Sequence, residues 1–169
     1  MTAPFDPLAL LSTLSRFEVR FIIIGGFAGS IMGSPTLTND LDICYDKSDE
    51  NAREALVAAL GSLDAFPREW PEGLPFTLDE RLIRLGDSFT FATRFGNLDC
   101  LATPSGTRGY SDVAGNATTV DLGDGLEVLI CSLDDLIRMK RSAGRPKDLI
   151  EVEVLAALAD ELKSSSGEL

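Results

Sequence analysis

Residues 19–45 read VRFIIIGGFAGSIMGSPTLTNDLDICY, and the fold turns on them. Val19–Ile24 is a short apolar run rich in β-branched residues, which predicts a buried strand. Gly25-Gly26 breaks that run. Phe27–Met32 follows as a short helix, stopped by Gly33-Ser34-Pro35. Asp40–Tyr45 then alternates Asp, Leu, Asp, Ile, Cys, Tyr, the period of a strand. A strand, a glycine turn, a short helix and a second strand predict an α/β or α+β chain.

The flanking sequence supplies the rest. Pro7–Phe17 is a predicted helix, with Asp6 as N-cap, Pro7 in the first helical position and Leu8, Leu11 and Leu14 three apart. Ser48–Leu60 is an amphipathic helix, capped by Ser48 and stopped by Gly61. Asp64–Pro75 holds three prolines and a glycine and is expected to be loop; Phe76–Leu85 fits no single pattern. Ser88–Arg94 and Leu98–Ala102 predict a hairpin around Phe95-Gly96-Asn97. Pro104–Ala114 is helical or irregular. Ala117–Leu122 and Leu126–Cys131 predict a second hairpin about Gly123-Asp124-Gly125. Ser132 opens a helix running to about Ser142. Gly144-Arg145-Pro146 interrupts it, and Lys147–Leu162 forms a last helix with Leu149, Val152, Leu155, Leu158 and Leu162 on one face. Ser164–Leu169 is expected to fray. Without repeats or low-complexity linkers, the chain is expected to form one domain over 1–169, with a core at about 17–131 and a helical C-terminal part at about 132–163.

Composition narrows the chemistry. The chain has 169 residues, 44% hydrophobic and 25% charged, values of an ordinary globular protein rather than a disordered or fibrous one. The net charge of −12 disfavours general nucleic-acid binding, because phosphate contacts need Lys and Arg. There is no histidine. That excludes Ser-His-Asp and Cys-His catalysis and His-ligated zinc or haem, and leaves acid–base work to carboxylates, Lys, Tyr or water. Cys44, Cys100 and Cys131 sit in apolar runs without CxxC spacing, as expected of buried reduced thiols in a cytoplasmic protein. No run is long enough to span a membrane, and the N-terminus lacks the basic and apolar regions of a signal peptide.

On a strand, Asp40 and Asp42 point to the same face. Two converging carboxylates repel unless a hard cation such as Mg²⁺ neutralises them; exposed acids on a strand edge are the plainer alternative. Gly25-Gly26 before a helix could admit a phosphate to backbone N–H groups, or could simply make a tight turn. Asp99 would join the pair if its strand lies beside Leu41–Tyr45, and three carboxylates can hold two metals; otherwise it is a turn acid. Arg138, Lys140, Arg141, Arg145 and Lys147, followed by Asp148, form a basic cluster. It suits a phosphate clamp or a helix end complementing the macrodipole, and Asp148 equally suits a helix start.

Gly25-Gly26-Phe27-Ala28, Gly33-Ser34-Pro35 and Thr38-Asn39-Asp40-Leu41-Asp42 together resemble the nucleotidyltransferase (DNA polymerase β-like) superfamily. Leu136–Lys140 with Gly144–Leu149 is similar to the C-terminal motif of its small bacterial members, among them the AbiEii-type (MenT-like) toxins of toxin–antitoxin systems. The resemblance covers roughly residues 17–155. It implies a mixed sheet flanked by helices, with the C-terminal helices packed on it. It also implies Mg²⁺ (or Mn²⁺) dependence and transfer of a nucleoside monophosphate from an NTP. Asp40 and Asp42 would be metal ligands, and Asp99 a third ligand or the base for the acceptor hydroxyl. Gly25, Gly26 and Thr38 would border the triphosphate. Lys140, Arg145 and Lys147 would meet phosphates, with Asp148 orienting them. The acceptor could be tRNA, a protein side chain or a small hydroxylated molecule, and a cognate partner protein is implied if the toxin likeness holds. Two positions depart from the pattern: Gly26 stands where many members have Ser, and Thr36 where relatives often have Arg. They favour, to a degree, an alternative in which the fold binds nucleotide or a partner without turnover.

Overall fold

The Asp6 carboxylate accepts the Ala9 N–H at 3.0 Å, and Pro7 begins the first helix. The structure, a computed structural model, describes residues 3–166. Its helices are α1 (Pro7–Arg16), α2 (Gly25–Ile31), α3 (Glu50–Ser62), α4 (Glu80–Leu85), α5 (Tyr110–Ala114), α6 (Leu133–Ala143) and α7 (Pro146–Ser166). Its strands are β1 (Phe21–Ile24), β2 (Asp40–Tyr45), β3 (Phe66–Pro67), β4 (Ser88–Thr93), β5 (Gly96–Leu101), β6 (Thr118–Asp121) and β7 (Glu127–Ile130). They form one sheet in the order β3-β4-β5-β2-β1-β7-β6. The β1–β7 and β2–β5 pairs are parallel and the others antiparallel, so the expected mixed α/β architecture is present.

Strand alternation decides what each face does. Leu41 and Ile43 are fully buried beside their register partners Leu98 and Cys100, in one core with Leu10, Leu11 and Leu14 of α1 and Leu56 and Leu60 of α3. Each such side chain contributes about 2 kcal/mol by leaving water. Asp40, Asp42, Asn97 and Asp99 alternate with them and share the opposite face. Helix α2 lies against β1, β2 and α6, and α7 packs on α6; a Cβ on Gly29 of α2 would touch Leu136 of α6 and Leu155 of α7, and one on Gly33, just after α2, would touch Leu158 of α7.

Several boundaries differ from the sequence pattern. Gly25 and Gly26 do not form a separate turn: β1 passes directly into α2, with Gly25 at φ +70°. Asp49, not Ser48, caps α3, accepting the Ala52 N–H at 2.8 Å. Gly61 lies inside α3, which runs to Ser62 with Leu63 as its C-cap. The proline-rich stretch contains β3, an edge strand on β4. The β4–β5 turn is Arg94-Phe95, since Thr93 pairs with Gly96, and this moves Asn97 into the strand. Leu149 and Leu162 of α7 are exposed; Val152 and Leu155 carry its buried face. Helix α7 continues through Ser166, where fraying was expected; the last part of that expected tail, 167–169, lies outside the described residues. Among the described residues, no helix is long and apolar enough to cross a membrane.

Candidate active site

The parallel β2–β5 register pairs Asp40 with Asn97 and Asp42 with Asp99. The expected convergence of Asp99 with the two β2 acids is therefore present, and strand pairing produces it. The Asn97 amide donates to Asp40 Oδ1 at 3.3 Å. Thr38 folds its hydroxyl back onto the Asp40 carbonyl oxygen at 3.1 Å and lies against Gly26, where a Cβ would meet Thr38 Oγ1 at 3.0 Å. Gly25 is obligatory twice over. Its φ lies in the left-handed region, and any Cβ would run into the Asp42 carboxylate. Gly25, Gly26, Thr38, Asp40, Asp42 and Asp99 thus occupy one small region at the C-terminal end of β1.

Electrostatics set Asp42 apart. Burial, the neighbouring Asp99 charge, a hydrogen bond with Asp99 and the Asp40 charge together push its carboxyl up from an ordinary 3.8 to about 7; Lys140 opposes them. Near neutral pH Asp42 therefore holds a proton for part of the time in the absence of a cation. Arg68 reaches the same cluster. Its Nη1 donates to Asp99 Oδ1 at 2.7 Å and to the Phe91 carbonyl oxygen at 3.0 Å.

The basic cluster divides. Lys140, on α6, is 12% exposed, faces the acids and pairs with Glu151 Oε2 at 2.5 Å. Arg145, 62% exposed, is held in a two-bond fork by Asp148, through Nε at 2.6 Å and Nη2 at 3.2 Å. Burial pushes the Asp148 carboxyl up, but the Arg145 hydrogen bond and charge outweigh it and hold it below the usual range. Asp148 therefore positions Arg145, whose charge is near enough to feel Asp42. Lys147 is exposed on the first turn of α7. Arg138 and Arg141 lie away from the acids: Arg138 pairs with Asp112 at 3.3 Å and Asp135 at 3.1 Å, and with Arg141 it lines a surface hollow on the far side of α6.

The donor set suits a hard divalent ion, since every candidate ligand atom is an oxygen and, among the described residues, Asp42 makes no direct ion pair. Asp40 and Asp42 fit such an ion. Among the described residues, however, no three acidic or thiol side chains are gathered tightly enough to hold one as they stand. Asp99 is engaged by Arg68 instead.

Arg68, Asn97 and Glu151 carry no motif in the sequence. Arg68 lies in the proline-rich stretch, and only the β3–β4–β5 register brings it to Asp99. Asn97 looked like a turn residue. The i+11 spacing of Glu151 from Lys140 means nothing until α6 and α7 pack together.

No family model matches the chain, and no curated protein matches it by sequence. Solved structures do. The solution structure of the antibiotic-resistance factor ANT(2'')-Ia is 16% identical and superposes with a TM-score of 0.51, covering 93% of this chain and 89% of that one. The crystal structure of ANT(2'')-Ia with adenylyl-2''-tobramycin gives 15% identity and a TM-score of 0.55, over 94% and 95% of the two chains. TM1012 of Thermotoga maritima, a candidate nucleotidyltransferase, gives 12% and 0.50, over 96% and 97%. At these identities the likeness establishes the fold: a mixed sheet with flanking helices, of the nucleotidyltransferase type.

Proposed function

We propose that the chain is a divalent-metal-dependent nucleotidyltransferase that moves a nucleoside monophosphate from an NTP to an acceptor hydroxyl. The observation that carries this reading is the register of Asp42 with Asp99 beside Gly25, which sets two carboxylates side by side where a cation would neutralise them. Asp40 and Asp42 would hold Mg²⁺ or Mn²⁺. When bound, the ion neutralises the acid pair and the triphosphate.

The chain's own residues do the rest. Gly25 and Gly26 let Asp42 and Thr38 pack directly on the β1–α2 backbone, beside which the triphosphate would lie. Lys140 and the Asp148-held Arg145 supply positive charge on the α6–α7 side, with Lys147 nearby. The acceptor oxygen bonds to the α-phosphorus, the bond to the α–β bridging oxygen breaks, and pyrophosphate leaves. Asp99 would take the hydroxyl proton.

ANT(2'')-Ia was solved with an adenylylated small molecule, which makes a small hydroxylated acceptor the first class to try. RNA and protein acceptors, and membership of the AbiEii/MenT-like toxins with a cognate partner, are narrower versions of the proposal. The test incubates the protein and Mg²⁺ with each NTP labelled at the α-phosphate, together with separated small-molecule, RNA and protein fractions. Transfer of α-label but not γ-label, lost in Asp42→Asn, supports the reading. No transfer from any NTP overturns it.

The Arg68–Asp99 pair favours a second reading, in which the site binds metal and NTP without turnover. It predicts metal-dependent NTP binding and no label transfer.

A further inference from the structure

One cross-strand row runs over the open face. The Arg68 N–H donates to the Thr90 carbonyl oxygen at 2.9 Å, extending the β3–β4 pairing by one residue beyond β3. Thr90 is in register with Asp99, Asp99 with Asp42, and Asp42 with Ile24, the residue before Gly25. Arg68, Asp99 and Asp42 therefore stand in line on one face, with Asp99 in the middle. The guanidinium does not reach Asp99 from a free tether. Its Nη1 also bonds the Phe91 carbonyl oxygen, which the β4 backbone fixes, and the two side chains are only 26% and 20% exposed. A charge-assisted bond of 2.7 Å in such partial burial is stronger and less screened than a surface ion pair.

The row gives Asp99 two neighbours of opposite effect, a carboxyl on one side and a fixed cation on the other. We infer that Arg68 is a positioning residue that holds Asp99 out of the metal sphere, so that the acidic face takes one divalent ion, on Asp40 and Asp42, rather than two. This inference rests on Asp40 and Asp42 being metal ligands. A guanidinium carries one positive charge, cannot lose it in a protein, and offers a carboxylate the geometry it prefers. It stands in for a second ion at Asp99 and directs that carboxylate to the acceptor.

The test counts bound Mn²⁺ per chain from the loss of the free-ion EPR signal, titrated to saturation without nucleotide. The expected count is one for wild type and two for Arg68→Ala. Arg68→Gln, which keeps a donor for the Phe91 carbonyl but removes the charge, is expected to bind two as well. Arg68→Lys restores a count of one. Asp99→Asn leaves the count at one, and Arg68→Ala/Asp99→Asn returns it to one. Melting curves in EDTA establish that each variant is folded. Two ions on wild type, a count of one on both Arg68→Ala and Arg68→Gln, or loss of the single ion in Asp99→Asn would each overturn the inference while leaving Asp40 and Asp42 as ligands. No Mn²⁺ on any protein would instead remove the metal site itself, and the inference with it.

Discussion

Asp42→Asn is expected to make the metal-free protein more stable at pH 8. Asp42 carries a folded-state pKa of about 7 against an ordinary 3.8, so the folded state holds its proton more tightly than the unfolded state does. A group raised in this way contributes stability that is fully present below pH 3.8 and is lost as pH rises through 7. From 3.8 to about 7, at 1.36 kcal/mol per tenfold change, the loss by pH 8 is on the order of 4 kcal/mol. An asparagine keeps the size of the side chain and cannot ionise. For a chain of this length about 1 kcal/mol moves Tm by roughly 2–4 °C, so the variant should melt on the order of 10 °C higher at pH 8. The assay is thermal or urea unfolding in EDTA at intervals from pH 5 to pH 8, for wild type and Asp42→Asn. Comparing the two proteins cancels the repulsion of the other acids, which both share. The gap between them should open as pH rises, and Mg²⁺ should close it by restoring wild type alone. A gap that does not vary with pH, or a variant less stable than wild type at pH 8, would refute the reasoning.

Gly25→Ala should cost more than about 1 kcal/mol, because φ +70° disfavours any Cβ and Asp42 occupies the space; Mn²⁺ titration should show the metal site weakened with it. Lys140→Ala removes the cation on the α6 side and leaves Glu151 unpaired, so equilibrium binding should show NTP affinity falling about tenfold, a loss of about 1.4 kcal/mol. Burial pushes the Cys44 and Cys131 thiols up to about 12, and Cys100 is raised by the same cause. A thiol-exchange reagent at pH 8 should therefore label no cysteine in the native protein and all three after unfolding.

The sequence makes legible what local chemistry dictates. The β-branched run before Gly25, the alternation of Asp40–Tyr45 and the Ser132 cap each act over a few residues, and each predicted element is present. Asp99 was within reach because a paired strand beside β2 could bring it to Asp42. Features that depend on pairing between distant segments were not legible. β3 is two residues long in a stretch whose prolines predict loop, and only its bond to β4 makes it a strand. Arg68 is consequently invisible as a site residue. Gly61 and Ser48 show the opposite error. A Gly inside α3 costs about 1 kcal/mol relative to Ala, which the buried face through Leu56 and Leu60 offsets, and Asp49 outcompetes its neighbour as cap. The basic cluster divides because α6 presents Lys140 to one side and Arg138 to the other, as helical spacing allows, but only packing against α7 selects which side meets the acids.

Thermal unfolding with each NTP, with and without Mg²⁺, for wild type and Asp40→Ala/Asp42→Ala, tests the central claim most directly. A ligand at a hundredfold excess over Kd stabilises the folded state by about 2.7 kcal/mol. The account predicts a Tm rise of several degrees with at least one NTP, present only with Mg²⁺ and absent from the double variant. No shift with any NTP, or a shift that survives loss of both carboxylates, would contradict it.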